Sequence, residues 1–138
     1  MGGVIIPRTV KQDMLKYMLR TTSLSLVSTM YLRLYVNDFT PTDTSVVGDF
    51  TEASWSGYSA YGLNYSSWTF STTNSLVTAI YSGTPEFSCT DSSSHTVYGW
   101  YIYTATPGLI ASRRFDNAVV FQQYGVVADF YNLTLSLL

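Results

Sequence analysis

Charge is what this sequence has least of. Only 12% of its 138 residues are Asp, Glu, Lys or Arg, about half the share found in an average soluble domain. A surface with so few charges is built from Ser, Thr, Asn, Gln and Tyr, which hydrate well but repel their own kind weakly. A protein living alone at high concentration needs more charge, whereas one packed among neighbours does not. Cysteine is scarcer still. Cys89 stands alone, which excludes an intrachain disulfide and leaves the redox compartment undecided. No run approaches the roughly 20 apolar residues that a membrane span requires. The opening Met-Gly-Gly-Val-Ile-Ile-Pro is too short for the apolar core of a secretory signal. Phosphate-binding Gly loops, Cys/His zinc spacings and dinucleotide fingerprints are absent as well. These absences point to a chain made in a cytoplasm, soluble or assembled, with no membrane partner.

What the chain has in plenty is apolar and aromatic surface: 46% hydrophobic residues, with 12 Tyr, 7 Phe and 3 Trp. A chain of this length buries about two-thirds of its unfolded surface, so it folds as one domain without a disulfide, metal or cofactor. Its net charge of −2 hides an asymmetry. Residues 1–33 carry Arg8, Lys11, Lys16, Arg20 and Arg33 against Asp13 alone, a net +4. The rest sets Arg113 and Arg114 against eight acids, a net −6. Five scattered basic residues are too sparse for a nucleic-acid grip, which uses dense Lys/Arg clusters. They suit an anionic surface or the acidic face of a partner subunit.

One amphipathic helix is predicted, near the start. Pro7 marks its entry, Thr9 caps it, and Gln12 completes a capping box. Val10, Met14, Tyr17 and Met18 share a face, Lys11, Lys16 and Arg20 line the polar side, and Thr21 to Ser23 end it. From residue 24 the text turns to β. Leu32, Leu34 and Val36 alternate with Tyr31, Arg33 and Tyr35. Further strands are expected at 49–52, 60–63, 68–70, 76–81, 86–90, 96–104, 109–115, 118–124 and 131–137. Residues 96–104 are apolar on both sides, with Tyr98, Trp100 and Ile102 on one face and Val97, Gly99, Tyr101 and Tyr103 on the other. Such a strand is central, with each face covered, one of them by a neighbouring molecule. Turns fall at Ser56-Gly57 and Pro107-Gly108, and Thr90 to Thr96 reads as a loop. No helical pattern recurs, which excludes parallel α/β architecture. The fold class expected is mainly β, an antiparallel β-sandwich or jelly roll, with an arm and helix at 1–23 and a body at 24–138.

Chemistry is sparse. His95, the only histidine, sits in Asp91-Ser-Ser-Ser-His95 and reads as a solvated loop residue, because a nucleophilic triad needs groups aimed by rigid elements. Cys89 lies on the apolar side of its strand and reads as a core thiol. Asp38, Asp43, Asp49 and Glu52 would have to gather to hold Ca²⁺, yet they lack the spacing of an EF-hand loop. Turn and strand-edge roles explain them equally. Trp55, Tyr58 and Trp68 are open to three readings: a sugar-stacking platform, a protein interface, or core packing. No enzyme is expected.

The stretch Leu32-Arg-Leu-Tyr-Val-Asn-Asp-Phe-Thr-Pro-Thr-Asp43, followed by Asp49-Phe-Thr-Glu52 and Ser56-Gly57-Tyr58, resembles a family of small structural proteins of tailed bacteriophages. Ile6-Pro7, the Leu-rich helix, Val97-Tyr-Gly-Trp-Tyr101 and Arg114-Phe115 extend the likeness across nearly the whole chain. It departs near the end, where Gly125-Val-Val-Ala-Asp129 replaces a shorter Gly-Asp segment. The resemblance implies a capsid cement, or decoration, protein: a jelly-roll body bridging capsomers on the outer shell of the virion. Its partners would be the major capsid protein and neighbouring copies of itself as a homo-oligomer, with no nucleic acid. A tail- or fibre-associated module binding a receptor or glycan stays open beside it. The partner-binding residues expected on either reading are Arg8, Lys11, Lys16, Arg20, Trp55 and Tyr58.

Overall fold

The alternation at residues 31–36 becomes strand β1 (Met30–Tyr35) in the computed structural model, which describes residues 3–20, 29–73, 76–105, 108–122, 126–129 and 133–137. Helix α1 (Arg8–Arg20) precedes it. The strands that follow are β2 (Tyr61–Leu63), β3 (Trp68–Thr73), β4 (Leu76–Tyr81), β5 (Glu86–Cys89), β6 (Ser94–Tyr103), β7 (Leu109–Gln122), β8 (Val126–Asp129) and β9 (Thr134–Leu137). They form three antiparallel sheets in the orders β2-β1-β6-β7, β3-β4-β9 and β5-β8. The protein is mainly β and sandwich-like, with one short helix near the start.

One core joins all three sheets. Leu32, Leu34, Leu63, Val97, Trp100, Ile102 and Ala111 come from the four-stranded sheet, Tyr81 from β4, and Phe87 and Cys89 from β5. Each fully buried Leu or Ile contributes on the order of 1.5–3 kcal/mol, so this cluster dominates the stability of the body. Strand β6 is central, as its two apolar faces require. Its second face is covered, at Tyr101, by the chain itself, with Tyr98 and Tyr103 half-buried. The β1–β2 connection lays Phe39, Val47 and Phe50 over Tyr35, Tyr101 and Leu109. Phe50 stacks on Tyr101 with ring centroids 4.6 Å apart. Asn37 stitches this connection: its Nδ2 donates to the Asp49 carbonyl (2.9 Å), and its Oδ1 accepts from the Thr51 amide (2.8 Å). In place of a strand at 49–52 there is a 3₁₀ turn at Val47–Asp49 and a single bridge from Glu52 to Tyr35.

The faces of β6 depart from simple alternation. Val97 shares the main core with Trp100 and Ile102, while Tyr98 joins Tyr101 and Tyr103 in the second cluster. The cause is a register break. Val97 pairs with Val119, but Gly99 pairs with Arg114, so the β7 strand spends three extra residues there. A bulge of this kind reverses which side chains point to which face. Gly99 is required at the break, because a Cβ there would lie 2.1 Å from the Arg113 carbonyl oxygen and 2.7 Å from the Tyr35 ring.

Three further boundaries differ from the sequence expectation. The expected strands at 109–115 and 118–124 are, as far as Gln122, one strand, β7, whose middle carries the bulge. Strand β8 pairs with β5 where no strand is expected. Helix α1 starts at Arg8, so Thr9 is a helical residue and not its cap; the Lys11 amide already donates to the Pro7 carbonyl (3.2 Å). The segment before the helix belongs to the body. Ile5 exchanges two backbone hydrogen bonds with Ser112 of β7 (2.7 and 2.9 Å), and Val4 and Ile6 pack on the core. The expected helix end at Thr21 to Ser23, the join between arm and body, Pro107 and Tyr124 lie outside the described residues.

Candidate functional site

Two places in the fold bring together side chains with more than a packing role. The first is helix α1. Among the described residues it makes no extended contact with any strand. Its first turn is tied down at one point: the Arg8 amide donates to the Asp43 carbonyl (2.8 Å), and the Arg8 guanidinium pairs with the Asp43 carboxylate (3.1 Å). Both side chains are largely exposed, so solvent screens the pair and it contributes little to stability. Spaced four apart, Lys11, Leu15 and Leu19 form one ridge of the helix. All three are exposed, Leu15 at 57% and Leu19 at 79%. Met14 beside them is 37% exposed, while Val10 is half-buried. The side chains of Lys16, Tyr17, Met18 and Arg20 lie outside the described residues.

The other two expected partner-binding residues turn inward. Trp55 is 7% exposed; its indole N–H donates to the Ser88 carbonyl (2.9 Å), and its ring packs against Phe121, Tyr58 and His95. Tyr58 is half-buried and stacks on Phe87. Its hydroxyl accepts from the Leu34 amide (3.2 Å) and donates to Glu52 (3.1 Å). Burial pushes the Tyr58 phenol well above its ordinary range. Trp68 is half-buried against the main core. A sugar platform built from Trp55, Tyr58 and Trp68 is therefore not presented to solvent, and the core reading of Trp55 holds.

The four acids weighed for Ca²⁺ are dispersed, each with a partner of its own. Asp38 pairs with Arg114 (2.6 Å), Asp43 with Arg8, and Glu52 with Arg33 (3.3 Å). Asp49 accepts from the Val46 amide (2.9 Å).

The second place is where β5 passes into β6. His95 is not a solvated loop residue. It lies in β6, its ring stacked on Trp55 at 4.9 Å and its Nε2–H donating to both Asp91 oxygens (2.8 and 2.9 Å). Asp91 also accepts from the Ser93 and Ser56 amides (3.0 and 3.3 Å), and the Cys89 thiol donates to it (3.6 Å). The His95 hydrogen bond, with help from the Ser93 and Ser56 amides, holds the Asp91 carboxyl below its ordinary value. Cys89 is fully buried, as its place on the apolar side of β5 requires. Its sulfur, an Asp91 oxygen and a His95 ring nitrogen all lie within 4.8 Å of one another. The thiol is closed to solvent and His95 Nε2 is engaged by Asp91, so the trio is not arranged as a nucleophile with its base. Its donor set is that of a metal centre. A cleft of about 420 Å³ opens beside it, floored by Trp55, His95 and Tyr98. Sequence reading misses this trio because it treats 90–96 as loop and Cys89 as core. The available signal is the spacing of Cys89, Asp91 and His95 at the junction of two strands. No protein-family model and no curated protein matches the chain.

Proposed function

We propose that this chain is a structural protein of tailed-bacteriophage particles, a cement protein seated on the outer capsid shell. One observation carries the reading: α1 presents Leu15 and Leu19, both exposed, beside Lys11, and its first turn is tied to the body through Arg8 and Asp43. A helix of 13 residues is marginal in water and gains its order from packing. Among the described residues no strand makes extended contact with it, which favours packing on a partner. The basic residues of α1 specify the partner's character: an apolar groove rimmed by acids, on the major capsid protein. The resemblance of the 32–58 stretch to phage structural proteins names the particle. Low overall charge and the polar, uncharged exterior suit a subunit that ends among neighbouring copies. Many copies, each of modest affinity, together resist expansion of the shell.

The test uses shells lacking the native protein, incubated with the full chain and sedimented. The wild type co-sediments at full occupancy. Leu15→Ser/Leu19→Ser loses most of that occupancy while its circular dichroism and thermal midpoint stay at wild-type values. A double variant that still fills every site removes the helix from the interface. A wild-type protein that binds no shell removes the capsid reading altogether.

A further inference from the structure

We propose that Cys89, Asp91 and His95 form a binding site for a divalent cation of the zinc class. The donors are one thiol, one carboxylate and one imidazole, the set that borderline-soft cations favour and that Ca²⁺ and Mg²⁺ do not. The spacing fits. Tetrahedral zinc with a bond to sulfur of ~2.3 Å and bonds to nitrogen or oxygen of ~2.0–2.1 Å puts a sulfur and an oxygen ligand about 3.6 Å apart. Cys89 Sγ and Asp91 Oδ1 stand at 3.6 Å. Nitrogen and oxygen ligands stand about 3.3 Å apart in such a site, so His95 withdraws from its present 2.8 Å by roughly half an ångström. The cation takes the place of the protons that now bridge the three groups.

The site is also preorganised. Its ligands come from seven consecutive residues, at the end of β5, the start of β6 and the connection between them, the two strands being held in different sheets. That connection is pinned by the Thr90 amide to the Ser56 carbonyl (2.8 Å) and by the Ser56 amide to Asp91 (3.3 Å). Trp55 forms an apolar wall against His95. The side chains of His95 and Asp91 are 25% and 28% exposed, which gives the ion an entry path and leaves its fourth position to water. A hydrogen-bonded loop staple would need the carboxylate and its N–H donors, but not the thiol turned toward it.

Cobalt(II) titrated into the metal-free full chain tests the assignment. One equivalent per chain is expected to raise a thiolate-to-cobalt charge-transfer band, which zinc then abolishes, and zinc is expected to raise the thermal midpoint. Cys89→Ser abolishes the band. Asp91→Asn and His95→Gln each weaken binding at least about tenfold, the smallest loss that even outer-sphere partners produce. These two positions are partly exposed, so they carry the test if Cys89→Ser does not fold. Absence of the band in the folded wild type overturns the proposal. So does a band of unchanged affinity in Asp91→Asn and His95→Gln, because the thiol is then acting alone.

Discussion

At the scale of single residues, aromatic side chains divide into those that hold the body together and those that remain on its surface. Trp55 is the sharpest case. Replacing it with Ala removes a buried indole and strands the Ser88 carbonyl, at a cost of roughly 3–5 kcal/mol in urea unfolding. A variant as stable as the wild type would place the indole at an interface. Tyr35, Tyr58 and Tyr101 make a second prediction, for alkaline pH. Burial raises all three phenols, Tyr35 to about 12. In the unfolded chain they ionise near 10. The stability they contribute is therefore complete below pH 10 and is lost as pH climbs toward 12, since only the unfolded state releases those protons. Tyrosinate absorbance should rise in two stages, the later one coinciding with loss of the folded circular dichroism signal. A single stage near pH 10 with the fold intact would show these phenols to be accessible. Little of the cation site was legible at this scale. Each member has an ordinary explanation by itself, and only the pairing of β5 with β8 and of β6 with its neighbours turns the three donors toward one another.

At the scale of elements, the strands with plain alternation were legible and the irregular ones were not. Strand β1 sits where the period of two places it, and β4 spans the expected 76–81; both contribute side chains to the core shared by the sheets. Faces on β6 were misread in part, because a bulge leaves no mark in hydrophobic periodicity beyond Gly99 itself. Strand β8 was invisible because its partner among the described residues, β5, is more than thirty residues away, and short apolar runs read equally as loop or strand. The connection between β1 and β2 shows how irregular backbone takes over the work of a sheet layer. Asn37→Ala removes both of its stitches and should cost on the order of 1–3 kcal/mol. The near-ultraviolet circular dichroism of Tyr35, Phe50 and Tyr101 should weaken in the same variant. A full near-ultraviolet signal at lower stability would mean that the aromatic stack holds the connection without Asn37.

At the scale of the whole molecule, the basic residues follow the architecture. Arg8, Lys11, Lys16 and Arg20 all fall in α1, whereas Arg33 lies in β1 and Arg113 and Arg114 in β7. The body therefore offers trypsin only peptide bonds held in paired strands, which are cut when the sheet itself opens. Helix α1 makes no extended contact with a strand among the described residues, and a short helix with little tertiary support unwinds readily. Brief digestion of the free protein is expected to trim the arm and leave one resistant fragment, read by mass spectrometry as beginning after Lys11, Lys16 or Arg20. Simultaneous cleavage at Arg113 or Arg114 would show the central sheet to be far less stable than its packing implies. Because every labile bond sits in the segment assigned to docking, susceptibility to the protease becomes a gauge of occupancy. A copy seated through α1 survives a digestion that clips its free counterpart, so the ratio of intact to trimmed chain counts seated molecules without any need to see the particle.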